Sequence, residues 1–288
     1  MTIIKEYRIV LPISVEEYQV GQLYSVAEAS KDNTGGGEGV EVIKNEPYEK
    51  KSELDANQTE KGQYTHKIFR MESKVPLLIR KLLPKGSTTF HEHAWNAYPY
   101  CKTVISNPDY MKEKMEVVLC SWHKSDLGNL ENVHNLSASD LKNREVIKID
   151  IVKDSVSKKD YKAENDPKLY KNPKDANRSA LTVNWLADLQ KKVDSAEAPE
   201  NQPKHMTAYK LITIKFQWFG IQGRIEKFSH SQQRRILTLF HRQVYCWLDK
   251  WVDMTMEDIR ALEDKTKKEL EENIDQGEKK GLTAGDDN

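Results

Sequence analysis

The chain has 288 residues, 38% of them hydrophobic and 31% charged, and its 45 basic and 45 acidic side chains leave a formal net charge of zero. That length suits one large domain or two small ones, and six Trp, twelve Tyr and six Phe supply the bulky core material that disordered chains lack. The balanced charge argues against a nucleic-acid protein, which needs a basic excess to neutralise phosphates, and against stable electrostatic anchoring on an anionic membrane.

Lys5, Glu6 and Arg8 interrupt the N-terminal apolar residues at once, so no signal-peptide core is expected. No apolar run approaches the ~20 residues of a membrane-spanning helix. Cys101, Cys120 and Cys246 are widely spaced and odd in number, as expected of reduced thiols in a cytoplasmic protein. Residues 3–11, ended by Pro12, predict a strand. Ser14 with Glu17 forms a capping box, and Val15, Tyr18, Gln22 and Val26 carry a helix to about residue 30. The glycine run at 35–39 lacks the Lys-Ser or Lys-Thr ending of a phosphate loop, and Val40-Glu41-Val42-Ile43 alternates after it, so the glycines are turn residues. Residues 49–62 are polar and read as a surface loop; 63–71 reads as a strand, and 76–83, headed by Pro76, as a short amphipathic helix.

Further strands are expected over 88–94, 97–106, 114–123 and 145–152. Residues 154–205, rich in Lys, Asp, Asn, Pro and Ser, read as a long surface excursion with one short helix near Trp185 and Leu186. A strand over 206–218 precedes a long helix from about Arg224, striped by Ile225, Phe228, Ile236, Phe240, Val244, Trp247 and Trp251. Thr255 and Asp258 cap a final helix with a sparse stripe of Ile259, Leu262, Leu270 and Ile274, and 276–288 is expected to be a flexible tail. Strands too closely spaced for crossover helices predict a mainly antiparallel sheet curved around one long helix, an α+β fold.

Three constellations carry chemistry. His91-Glu92-His93 invites a metal, but no third ligand lies at a usual spacing, and alternation puts both histidines on one strand face; the expectation is ordinary strand surface and no metal. Gln63, Thr65 and Lys67 share one face, which is either solvated or a polar lining with partners. Trp218-Phe219-Gly220 is either a core cluster or an apolar loop tip suited to a membrane interface. No nucleophile elbow or H-E-x-x-H motif occurs, so nothing supports an enzyme.

Longer strings carry a resemblance. Glu17-Tyr18-Gln19-Val20-Gly21-Gln22-Leu23-Tyr24, Gly62-Gln63-Tyr64-Thr65-His66-Lys67, Ala94-Trp95-Asn96-Ala97-Tyr98-Pro99-Tyr100-Cys101 and Cys246-Trp247-Leu248-Asp249-Lys250-Trp251 resemble the class I phosphatidylinositol transfer proteins of alpha and beta type, nearly end to end. The resemblance implies a START-like fold over 1–275 enclosing a lipid cavity, with a lid helix over 255–275. It implies a carrier of phosphatidylinositol or phosphatidylcholine that supports phosphoinositide signalling, has no cofactor beyond its cargo, and is monomeric and transient at membranes; lipid kinases are its implied partners. The alternative is a lipid-sensing adaptor without net transfer. By resemblance, Thr65, Lys67, Glu92, Asn96 and Glu263 hold the inositol ring, Thr103 and Lys210 lie near it, and Ser121 and Cys101 flank the head region. Trp218-Phe219 stands where the family docks on membranes with a Trp pair. Two departures accompany these matches: Asn172 replaces a serine that the family phosphorylates, and the loop 50–61 is longer.

Overall fold

The strand pattern closes into one sheet. A computed structural model describes residues 3–55, 57–75, 87–217 and 222–281. Its strands are β1 (Ile3–Leu11), β2 (Gly39–Lys51), β3 (Thr59–Arg70), β4 (Thr89–Ala97), β5 (Tyr100–Ser106), β6 (Met115–Lys124), β7 (Glu145–Ile149) and β8 (Met206–Phe216). They lie in the order β2-β3-β4-β5-β6-β8-β1-β7. Every neighbouring pair is antiparallel except β1 and β7, which run parallel. The helices are α1 (Val15–Asp32), α2 (Ala138–Asn143), α3 (Trp185–Asp194), α4 (Gln222–Cys246), α5 (Leu248–Trp251) and α6 (Met256–Asn273). The helix expected at 76–83 lies outside the described residues.

Several boundaries differ from the sequence reading. Most of 49–62 is hairpin rather than loop: β2 and β3 stay paired out to Lys51 and Thr59. Tyr48 donates to Glu60 at 2.6 Å, and the Lys50 ammonium sits 4.7 Å from the Trp95 ring. Its polar composition reflects exposure on an extended ribbon, not irregular backbone. Gly62 is required where this ribbon meets β4, since a Cβ there would lie 2.1 Å from the Asn96 carbonyl oxygen.

The segment 154–205 is more than surface, for Tyr170, Trp185 and Leu189 are buried in the main core. The Arg242 guanidinium, itself buried, organises its start by donating to the Ile151 carbonyl at 2.7 Å and the Asp154 carbonyl at 3.2 Å. Asn172 is buried and shapes a turn, accepting from the backbone of Lys174 at 2.9 Å and Asp175 at 3.2 Å. On α4 the buried face runs through Leu237, His241, Val244 and Tyr245; Ile236, one position off, is exposed. Residues 276–281 lie against the glycine turn: Gly36 and Gly37 donate to the carbonyls of Gln276 at 2.9 Å and Ile274 at 2.7 Å, and Lys279 pairs with Glu38 at 2.6 Å.

The helix layer rests on the flanks of the sheet. Among the described residues α4 packs on β1 and β8, α6 on β2, and α1 on α6 and α4. Fully buried Tyr7, Ile9, Leu11, Ile212, Val244 and Trp251 form the core on the first flank. Between the flanks, every residue of β4 is only partly buried.

α1 begins on the expected capping box: Ser14 Oγ accepts from Glu17 N at 3.2 Å, and Glu17 accepts from Ser14 N at 3.0 Å. Burial raises the Glu17 pKa, but hydrogen bonds from Arg178 and Lys204 outweigh that and hold it below the usual carboxylate range. Ser14→Ala is expected to cost about 1 kcal/mol, read as a lower urea midpoint with an unchanged m-value.

Candidate functional site

Directly paired residues of an antiparallel sheet point to the same face, so the strand register assembles the site in rows. The first row crosses the sheet through Gln63, Asn96, Cys101, Ser121, Lys210 and Tyr7. The second holds Thr65, Ala94, Thr103, Leu119 and Ile212. The third holds Lys67, Glu92, Ile105, Val117 and Ile214. The fourth holds Phe69 with Phe90, and Met115 with Phe216. Polarity therefore falls along β5, β6 and β8, from Cys101, Ser121 and Lys210 to Ile105, Met115 and Phe216, while β3 and β4 stay polar through the third row. One end of this face is all polar and the other all apolar, and the only charges in the third row, Lys67 and Glu92, pair with each other at 3.5 Å. Thr65, Lys67, Glu92, Asn96, Cys101, Thr103, Ser121 and Lys210 thus share one sheet face, the face that the helices cross.

Burial sets the electrostatics of the polar end. Cys101 keeps accessible surface, yet its protein surroundings desolvate the thiol and push its pKa up to about 12. Its Sγ lies 3.0 Å from Asn96 Oδ1. Burial pulls the Lys210 ammonium down to about 8, and its Nζ stands 3.5 Å from Ser121 Oγ. Burial and then the Lys210 charge drive His123 well below its usual pKa. The Tyr18 ring stacks on His241 at 5.9 Å and meets the tilted His123 ring at 4.9 Å. Tyr7 Oη and His123 Nε2 are buried without a hydrogen-bond partner among the described residues. Buried polar atoms need partners, so this end suits a hydroxylated or zwitterionic group.

Glu263 reaches the site from α6 through residues that pattern reasoning did not assign. A bulge between Val42 and Lys44 brings Asn45 opposite Thr65. Gln63 donates to Asn45 Oδ1 at 2.7 Å, Asn45 donates to Glu263 Oε2 at 2.9 Å, and Arg260 donates to the same oxygen at 2.6 Å. This relay ties α6 to the sheet. Asn45 and Arg260 were missed because a bulge reverses strand parity and because Arg260 acts through its neighbour. Tyr7 was missed because a buried tyrosine in a strand reads as core. Trp218 and Phe219 lie outside the described residues.

The chain is similar over nearly its whole length to proteins of one family. A family model described as phosphatidylinositol transfer protein matches residues 2–268. The phosphatidylinositol transfer protein beta isoform of Homo sapiens is 53% identical over 287 residues, covering 99% of this chain and 100% of that protein. Phosphatidylinositol transfer protein 1 of Dictyostelium discoideum is 45% identical over 274 residues, covering 95% of this chain and 96% of that one. The membrane-associated phosphatidylinositol transfer protein 1 of Mus musculus is 40% identical over 270 residues, which is 93% of this chain but 20% of that larger protein.

Proposed function

The chain belongs to the phosphatidylinositol transfer protein family, and from that premise we propose that it carries one phosphatidylinositol or phosphatidylcholine molecule at a time between membranes. The observation that supports this most is the polarity gradient along β5, β6 and β8, beside the polar inner face of β3 and β4. A phospholipid has the same profile: a polar head suits Gln63, Thr65, Lys67, Glu92 and Asn96 on β3 and β4, and acyl chains suit Ile105, Val117, Ile214 and Phe216.

Each methylene exposed to water costs ~0.8 kcal/mol, so two long chains cost on the order of 25 kcal/mol in transit. An apolar lining removes that cost. The inositol ring brings several hydroxyls, each needing a donor or acceptor once buried. Thr65 and Asn96 offer both, Lys67 donates, and Glu92 and Glu263 accept. Thr103 and Lys210 complete the head-group surroundings, with Ser121 and Cys101 beside the phosphate end. Choline has no hydroxyl donor and makes fewer demands. α6 is the lid: the Asn45–Glu263–Arg260 relay breaks and reforms as cargo passes.

No helix among the described residues is long and apolar enough to cross a membrane. Docking is assigned to Trp218-Phe219, whose rings favour the interface. The expected result of changing both to alanine is several-fold weaker vesicle binding and slower transfer of every lipid, with an unchanged circular dichroism spectrum. Unaltered vesicle sedimentation rules this pair out as the contact. The protein works as a cytoplasmic monomer that delivers phosphatidylinositol to lipid kinases, without catalysing a reaction itself.

The deciding measurement is native mass spectrometry of the purified chain together with transfer between labelled and unlabelled vesicles. One phospholipid per chain and net movement of label are expected. A chain that purifies lipid-free and moves no label is an adaptor.

A further inference from the structure

The opposite face of the same hairpin carries a second constellation. Alternation turns His91 and His93 of β4 away from Glu92, as expected, but the register adds a histidine that sequence spacing did not suggest. His66 of β3 is paired directly with His93 and lies one diagonal step from His91. Its ring stacks on His93 at 4.3 Å and 15°, and on His91 at 5.2 Å and 30°. One donor atom from each of the three histidines lies within 4.8 Å of the others, and all three side chains are partly exposed.

We propose that His66, His91 and His93 form a binding site for a divalent transition-metal ion, zinc(II) in the first instance. The donor set is three imidazoles with no carboxylate, which favours zinc, copper or nickel over calcium or magnesium. Tetrahedral zinc with Zn–N bonds of ~2.0–2.1 Å spaces its ligands about 3.3 Å apart. His66 Nε2 and His91 Nδ1 already stand 3.0 Å apart. The wider separations close by ring rotation, which partly exposed side chains permit.

The surroundings fit as well. Tyr64 Oη lies 2.8 Å from His93 Nδ1. With Nδ1–H donated to that hydroxyl, His93 Nε2 is left as a lone-pair donor, the outer partner that orients a metal-bound imidazole. Lys44, paired with His66 across β2 and β3, works against a cation, and its ammonium lies 3.5 Å from Glu46. Three protein ligands leave the fourth position to solvent, an open rather than a closed site.

The ion would join β3 to β4 on the outer face, directly behind Lys67 and Glu92. Binding does not depend on the lipid reading, and the test keeps them apart. The full chain is stripped with chelator and titrated with zinc chloride by calorimetry and by thermal unfolding. The expected result is one zinc per chain, bound at least tenfold more tightly than by His66→Ala or His93→Ala, with a rise of Tm in excess zinc that the triple variant H66A/H91A/H93A lacks. Tyr64→Phe is expected to keep the stoichiometry and weaken binding roughly tenfold. Because the triple variant keeps Cys101, Cys120 and Cys246, it also separates this site from thiol binding. Sub-stoichiometric uptake by the parent chain in excess zinc, or identical titrations of parent and triple variant, overturns the assignment.

Discussion

Alanine at Thr65 is expected to slow phosphatidylinositol transfer at least about fivefold while phosphatidylcholine transfer stays within about twofold. A buried hydroxyl that loses its partner costs ~1–3 kcal/mol, which is a factor of about 5 to 160 in affinity. Only the inositol ring presents such hydroxyls. Thr65 is the cleanest probe because, among the described residues, its side chain makes no hydrogen bond within the protein, so its removal leaves no protein group stranded. Glu263→Ala is expected to act in the same direction, but it also frees Asn45 and Arg260. Its effect therefore mixes head-group contact with loosening of α6. Glu263→Gln separates them, since it keeps an acceptor for Asn45 while removing the charge facing Arg260. The measurement is transfer of each radiolabelled lipid between vesicles of one composition. Equal loss of both lipids in Thr65→Ala removes the head-group assignment.

Acid is expected to unfold the chain through His241. Its imidazole is fully buried, with Tyr18 Oη 3.0 Å from Nε2 and the Leu237 carbonyl 2.7 Å from Nδ1. Burial, with a smaller contribution from Lys210, lowers its pKa to about 3 from the ordinary 6.5 of a histidine. Between those values the unfolded chain binds a proton that the folded chain refuses. Stability is therefore full above pH 6.5 and is lost as pH falls toward 3. At 1.36 kcal/mol per unit the loss is about 2 kcal/mol at pH 5 and about 4 kcal/mol at pH 3. Total stabilities are ~5–15 kcal/mol, so this one group shifts the acid midpoint appreciably. His134, lowered to about 4 by burial, acts in the same direction and remains in a His241→Gln chain. The variant should begin less stable, yet lose less stability per pH unit between 6.5 and 4 in thermal melts. Parallel slopes for the two proteins would show that His241 is not the acid-sensitive group.

Local chemistry alone specified most of the elements. The Ser14–Glu17 and Thr255–Asp258 boxes mark helix starts because side chains three residues apart satisfy orphan amide groups without help from elsewhere. The strands at 3–11, 114–123 and 206–218 were legible because alternation and β-branching act within one segment. The resemblance placed Glu263 beside Thr65, which no pattern of spacing does. Tertiary structure decided what depends on pairing between distant segments. It extended the hairpin through the polar stretch 49–62, and it drew Tyr170 and Trp185 from an apparent surface excursion into the core. It brought Asn45 onto the inner face through a bulge, aligned five strands so that their polar ends coincide, and set His66 against His93 across 27 positions of chain. Alternation assigns each side chain to one of two faces within its own strand; only the register between strands says which faces coincide, and that register is set by the packing of the whole sheet.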